Sequence, residues 1–289
     1  ANPEYMSLMS QKDSIWPYGR IVWHYNFDDA DHDSGEKVFL GERGNFNGED
    51  VVKIICNQQA TANFIARHLY NFFVADEVPV PQWDVTPPKD PEAIKELVDA
   101  YFNHDHNIGS MIKVLFNSDF FKDSIGKKVK SPVELVIGTL RLSGEYNNQS
   151  KIGPGIYEAI AEAGFMGQEL SNPPSVEGWH TGEEWITSGA LVDRVNFASR
   201  HLGDANNEGV QEIIDRTFTE VGQRSTIEQL TDVCAYALGI LELSNDTREG
   251  IVELLESAED DQHGVIDVCE NTIVNSLKLI VSSREYQVC

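Results

Sequence analysis

Basic residues are scarce in this chain. Lys and Arg number 22 against 47 Asp and Glu, leaving a formal net charge of −25. A surface this negative repels phosphate backbones and anionic lipid, so nucleic acid and a bare membrane are poor partners. It favours solubility at high salt, or the binding of cations and basic partners. Long apolar runs are missing as well: none approaches the roughly 18 residues that cross a bilayer. The start, Ala1-Asn2-Pro3-Glu4-Tyr5, has neither the charged nor the apolar region of a signal peptide, and no Met stands at position 1. A processed chain or a fragment is expected. Cysteine is sparse. Cys56, Cys234, Cys269 and Cys289 make no C-x-x-C pair, which leaves a structural zinc site without support. Cys56 and Cys234 sit in apolar helical runs and read as buried thiols, while a Cys269–Cys289 bridge stays open. Common catalytic signatures are absent too. There is no H-E-x-x-H, no G-x-S-x-G and no G-x-G-x-x-G, and Gly126-Lys127-Lys128 lacks the loop of a nucleotide site.

What is present is helix. The chain is 41% hydrophobic with a mean hydropathy of −0.32, which suits a soluble globular protein with ample core. A short helix is expected at 4–12. Gly48–Cys56 and Gln59–Val74 follow; in the second, Phe64, Ile65, Leu69, Phe72 and Phe73 mark one apolar face that also carries His68, read as a buried, hydrogen-bonded histidine. Five prolines between Pro79 and Pro91, around Trp83 and Val85, read as an extended segment packed across the body. Helices are expected at 91–103 and 107–117, and from Ser131-Pro132-Val133-Glu134, a capping box with proline in the first turn, to Leu142 before Gly144. Further helices are expected at 155–170, 187–202, 208–221, 226–241, 246–258 and 265–283, with Ser225-x-x-Glu228 and Asp246-x-x-Glu249 as caps. Ile112–Phe121 aligns without gaps to Leu277–Tyr286, which reads either as two similar helix ends, each with a Ser-capped turn tucking in an aromatic, or as chance.

Two polar connectors stand out. Arg20–Phe27 alternates β-branched and aromatic residues with polar ones, and Lys37–Gly41 reads as a second short strand. The acidic stretch between them would then be a hairpin connection, in what is expected to be the only sheet. It holds Asp28, Asp29, Asp31, His32, Asp33 and Glu36. Asp29, Asp31 and Asp33 alternate as carboxylates do in calcium loops, and Gly35 permits a sharp turn. The match to an EF-hand is poor: Ser34 stands where the glycine belongs and Leu40 where the bidentate glutamate belongs. The alternatives are a structural loop in which Asp33 pairs with Lys37 and His32 bonds backbone, a Ca2+ or other hard-cation site, or catalysis with His32 or His24 as base beside Asp33 or Glu36. The second connector is Asn172-Pro-Pro-Ser-Val-Glu-Gly-Trp-His-Thr-Gly-Glu-Glu-Trp-Ile186. Trp179 and Trp185 could stack on sugar faces with Glu177, Glu183 and Glu184 as acceptors or as an acid/base pair. The plainer alternative is a tight loop whose two indoles plug the core.

His32-Asp33-x-Gly35-x-Lys37-x-x-Leu40-Gly41, followed by Gln59-Ala60-Thr61-Ala62-x-Phe64-Ile65 and by Pro-Pro-x-Val-x-Gly-Trp with Gly-x-x-Trp-Ile, resembles the bacterial family catalogued as domain of unknown function 1800. The resemblance covers residues 20–202 well and the remainder weakly. It names a family and not an activity. Members look like exported proteins, often encoded beside a second exported family that resembles sulfatases. The resemblance therefore implies an extracytoplasmic place, in the periplasm or at the cell surface, and an exported sulfatase-like partner. The expected fold is mainly α: a compact multi-helix body with one small β-hairpin. The expected organisation is a family core over 1–203, with the hairpin at 20–41, and an acidic helical extension over 204–289 packed on it. The expected function is non-catalytic binding or assembly at the cell surface. The alternative is a hydrolase, metal-assisted or not, acting on surface polysaccharide or a related ester.

Overall fold

The computed structural model of the chain describes residues 26–147, 155–259 and 265–289. Among them are twelve α-helices and two antiparallel sheets of two strands each, so the protein is mainly α. The expected helix at 4–12 and the expected strand from Arg20 lie outside the described residues, except Asn26 and Phe27, which are not in a strand. The chain divides into two compact units, residues 1–61 and 62–289.

In the first unit, β1 (Lys37–Phe39) pairs with β2 (Glu42–Gly44), with Val38 opposite Arg43. This hairpin lies after the acidic loop. A two-residue connection decides this. Leu40 (φ 48°) and Gly41 (φ 88°) both take left-handed backbone, the conformation that turns a tight hairpin with the native twist. Helix α1 (Gly48–Cys56) starts on a capping box, Asn47 accepting from Asp50 N and Asp50 from Asn47 N, with Glu49 and Asp50 at the positive end of its dipole.

Helix α2 (Gln59–Phe73) runs from the first unit into the second. Its buried side is Ala62, Ala66, Arg67 and Tyr70, one residue round from the expected stripe. Phe64 and Phe72 are 51% and 70% exposed, and His68 is exposed rather than buried. Its ring stacks between Phe64 and Trp83, with centroids 4.4 and 4.6 Å away. Ala62, Ala66 and Tyr70 share one buried cluster with Leu97 and Tyr101 of α3 (Pro91–Asn103) and Met111 and Leu115 of α4 (Ile108–Asn117). The proline segment does cross the body. Buried Arg67 binds Glu77 at 2.6 Å, the Thr86 carbonyl at 2.8 Å and the Pro87 carbonyl at 3.2 Å, and its guanidinium lies 4.7 Å from the Trp83 ring centre. Backbone bonds close the turns from Pro79 to Thr86, and the buried Arg67–Glu77 pair holds the stretch that follows, Glu77 accepting from Lys89 N at 2.8 Å. Val85, by contrast, is 84% exposed.

After the short α5 (Asp119–Lys122), residues 128–130 pair with 287–289: Cys289 N donates to Lys128 O at 2.8 Å and Lys130 N to Gln287 O at 2.9 Å. Asp76, leaving α2, accepts from Val129 N at 2.7 Å. A second core then joins α6 (Pro132–Ser143), α7 (Gly155–Phe165), α8 (Ser188–Leu202), α9 (Glu208–Val221), α10 (Ile227–Ala237), α11 (Asn245–Glu259) and α12 (Glu270–Val281). It continues across residue 203: Leu135, Phe197, Leu230 and Leu277 belong to one buried cluster.

The second sheet is unforeseen. Val265–Asp267, expected as helix, forms β4 against β3 (Arg224–Thr226), burying Ile266 and Ser225 in the alternation of a half-buried strand. The caps consequently shift. Thr226, not Ser225, accepts from Gln229 N, and Ser244, not Asp246, accepts from Thr247 N. Helix α7 stops five residues early, where Gly167 (φ 102°) reverses the chain beneath Trp185. The internal echo holds in outline only. Ser118 caps the turn before Phe121, but the hydroxyl of the aligned Ser283 has no partner among the described residues, although Tyr286 is tucked in.

Candidate ligand-binding site

The acidic loop is exposed, and local bonds account for its shape. Asp28 Oδ1 accepts from Ala30 N at 3.0 Å and Asp33 Oδ1 from Gly35 N at 2.8 Å, side-chain turns that bend the chain without a metal. The Gly35 bond, then Lys37, hold the Asp33 carboxyl below the usual carboxylate range. Lys37 Nζ is bound to the Asp33 and Gly35 carbonyls and to Asn45 Oδ1, and His32 Nε2 meets the Phe46 carbonyl at 3.1 Å. Lys37 and His32 thus staple the loop to the hairpin's far side. Asp29, Asp31 and Glu36 are exposed. Among the described residues no three His, Cys, Asp or Glu side chains are grouped to hold a metal ion, so Asp29, Asp31 and Asp33 do not converge. His24 lies outside the described residues.

In the tryptophan loop, Trp185 is 5% exposed and packs beside Gly167, while Trp179 is half-buried and spends its indole N–H on Glu169 O at 3.1 Å. Glu177 is exposed. A stacking role on sugar therefore rests on Trp179 alone. Only Gly182 brings the loop close to a buried acid; a Cβ there would lie 2.9 Å from that of Asp76. Cys234 is a buried thiol and Cys56 half-buried, while Cys269 and Cys289 stand exposed with no bridge between them.

Chemistry gathers elsewhere, in a cavity of about 520 Å³ between the end of α6, the length of α7 and the last turns of α8. Helix α6 opens on the expected capping box, with Glu134 N bound to Ser131 Oγ and Ser131 N to Glu134 Oε2, and ends where Gly144 turns left-handed at φ 66°. A Cβ on Gly144 would lie 2.5 Å from Gly209 N, and one on Gly209 would collide with the Leu142 carbonyl. This close passage of α6 and α9 directs Glu145 and Tyr146 into the cavity wall. On α7, Glu158, Glu162 and Phe165 follow at i, i+4 and i+7 and share a face; on α8, Phe197, Arg200 and His201 share one at i, i+3 and i+4. Asp204 and Asn207 complete the wall.

Two of the four carboxylates are paired. His201 Nδ1 lies 2.5 Å from Glu145 Oε2, and Arg200 Nη2 lies 2.7 Å from Glu162 Oε1. Asp204 takes its bonds from the Asn206 backbone and side-chain amides, which hold its carboxyl below the usual range. Burial, then Glu145 and Glu158, push the Tyr146 hydroxyl above its ordinary pKa. Three rings, Tyr146, Phe165 and Phe197, line the same space. No Ser, Thr or Cys is among the lining residues, so the cavity offers carboxylates, an imidazole and π faces but no side-chain hydroxyl or thiol nucleophile of the usual kind.

None of the polar residues of this wall was singled out in sequence. The two helical triplets were a readable signal, but a polar triplet on a helix is more often a solvated face. Nothing local places Glu145 opposite His201, 56 residues away.

Arg194, in the middle of α8, ties this helix to the chain segments at 130 and 287. This residue is fully buried, donating to Gln287 Oε1 at 2.8 Å and Lys130 O at 2.7 Å, and burial lowers its pKa to about 10.

Among the described residues no helix is long and apolar enough to cross a membrane. No curated protein and no solved structure matches the chain. The family described as "Protein of unknown function (DUF1800)" matches residues 20–288, well beyond the first 202. Because that match spans nearly the whole chain, including the helices that build the cavity, the protein belongs to the DUF1800 family.

Proposed function

We propose that this is a binding protein whose ligand enters the cavity between α6, α7 and α8. The observation that carries this is the convergence of four carboxylates and three aromatic rings on one space of about 520 Å³. Such a wall favours a ligand that brings positive charge or a dense set of hydroxyl donors, an amine or a sugar, because carboxylates accept hydrogen bonds and π faces take cations or sugar C–H faces. That no Ser, Thr or Cys is among the described lining residues argues for binding over acyl transfer through such a nucleophile. In the setting the family resemblance implies, this binding takes place outside the cytoplasm, beside an exported sulfatase-like partner. Cell fractionation and co-purification test that part. The cavity itself is tested by titrating small amines and oligosaccharides with ligand-observed NMR. A saturable ligand lost in Glu158→Gln and His201→Ala supports the reading; binding indifferent to both substitutions removes it.

The 2.5 Å contact of His201 with Glu145 favours a second reading, a hydrolase in which His201 activates water on surface polysaccharide or a related ester. Turnover of such a substrate, abolished by His201→Gln with ligand binding retained, would select it.

A further inference from the structure

The acidic cavity does not stand alone. A groove of about 260 Å³ runs along the other side of α7, and Tyr146 and Ala159 line both. The two spaces differ in chemistry because α7 is two-faced: Glu158 and Glu162 turn to the cavity, Ile160 and Ala163 to the groove. The groove is completed by aliphatic residues and Arg141 of α6, by Asn147 and by Leu170, and it is open to solvent: Ile137, Ile160 and Leu170 are 48%, 44% and 44% exposed. Apolar side chains left this accessible beside a charged cavity are costly unless something covers them. In the cavity, Arg200 answers Glu162, and His201 lies on Glu145 and also attracts Asp204, so Glu158 is the carboxylate of this wall with no ion-pair partner among the described residues. The Phe165 ring at the rim is 75% exposed.

We infer that cavity and groove are two halves of one site for a cationic amphiphile, its positively charged head among Glu158, Asp204 and the Phe165 face, its hydrocarbon chain along Ile137, Ile160 and Leu170. This rests on the cavity being a binding site and adds the class of ligand. Charge selects the head: four carboxylates against Arg200 and His201 leave the wall net negative, which repels an anionic head and attracts a cationic one over a neutral one. Adjacency selects the tail, since Tyr146 and Ala159 place the groove directly against the head's position.

The test is calorimetric titration with tetramethylammonium and with hexyl-, octyl- and decyltrimethylammonium below their micellar concentrations, decyl sulfate and decyl maltoside serving as controls. One molecule should bind per chain, with affinity rising about fourfold for each methylene that enters the groove. Ile160→Glu should flatten this dependence on chain length and leave tetramethylammonium unchanged. Glu158→Gln should weaken every member of the series. Equal binding of decyl sulfate, or several molecules per chain insensitive to both substitutions, overturns the inference as adsorption to an acidic surface. Tetramethylammonium binding that needs Glu158 but gains nothing from a longer chain overturns the inference and leaves the cavity reading standing. Chain-dependent binding that needs Ile160 but not Glu158 overturns both.

Discussion

Cys234 and Arg194 show what burial does to single side chains. Cys234 lies fully inside the second core, and burial pushes its thiol up to about 12. Above about pH 9 the unfolded chain releases this proton while the folded chain keeps it, so the unfolded state binds fewer protons and stability is lost as pH rises from 9 towards 12. The thiol alone should steepen the fall by about 1.4 kcal/mol per pH unit. Urea unfolding at pH 8, 9 and 10 should show that excess slope in the native chain and not in Cys234→Ala. Both residues also show how unevenly side-chain fate can be read. Cys234 was legible, since apolar neighbours at helical spacing bury a small thiol. Arg194 was not, because an arginine in Val-Asp-Arg-Val-Asn-Phe reads as a solvated residue until Gln287 and the Lys130 carbonyl, both distant in sequence, appear around it.

At the scale of elements, the helices were readable and the contacts that aim them were not. The ends of α3, α4, α6, α8 and α9 came within a residue or so of expectation, because each carries its own start or stop: Asp90, Asn107, Ser131, Thr187 and Gly222. Strands were harder. Their partners are chosen by turn geometry, as at Leu40-Gly41, or across long connections, as between β3 and β4, so neither register had a local signature. The α6–α9 crossing offers a direct check. Gly138→Ala, where nothing lies within 4 Å of the added Cβ, should stabilise the protein by roughly 0.5–1 kcal/mol. Gly209→Ala, which drives a methyl group into the end of α6, should cost about 1–3 kcal/mol. Denaturant midpoints of the two variants against the native chain decide it; a Gly209→Ala midpoint equal to or above the native one would mean that the crossing is not tight.

For the molecule as a whole, charge dominates. With −25 on 289 residues the folded state carries strong self-repulsion, which salt relieves by shortening the Debye length from about 10 Å at 0.1 M to about 3 Å at 1 M. The melting temperature should therefore climb as NaCl is raised from 0.1 to 1 M, measured by circular dichroism. A flat or falling response would show that the acids are locally compensated. The same charge helps to explain why the candidate site was invisible in the chain. Among 47 acidic residues, Glu145, Glu158, Glu162 and Asp204 have nothing to distinguish them.

By itself the sequence determined the helical class, most helix limits, the family and the sign of the net charge, because periodicity, caps and composition act over a few residues or over all of them at once. Tertiary structure alone decided which face of α2 is buried, which segments pair as strands, and that the acidic loop is held by Lys37 and His32. It also decided that four ordinary carboxylates share a cavity backed by an apolar groove. Those outcomes depend on residues tens of positions apart meeting through close packing, and a linear pattern carries no record of which surfaces will touch.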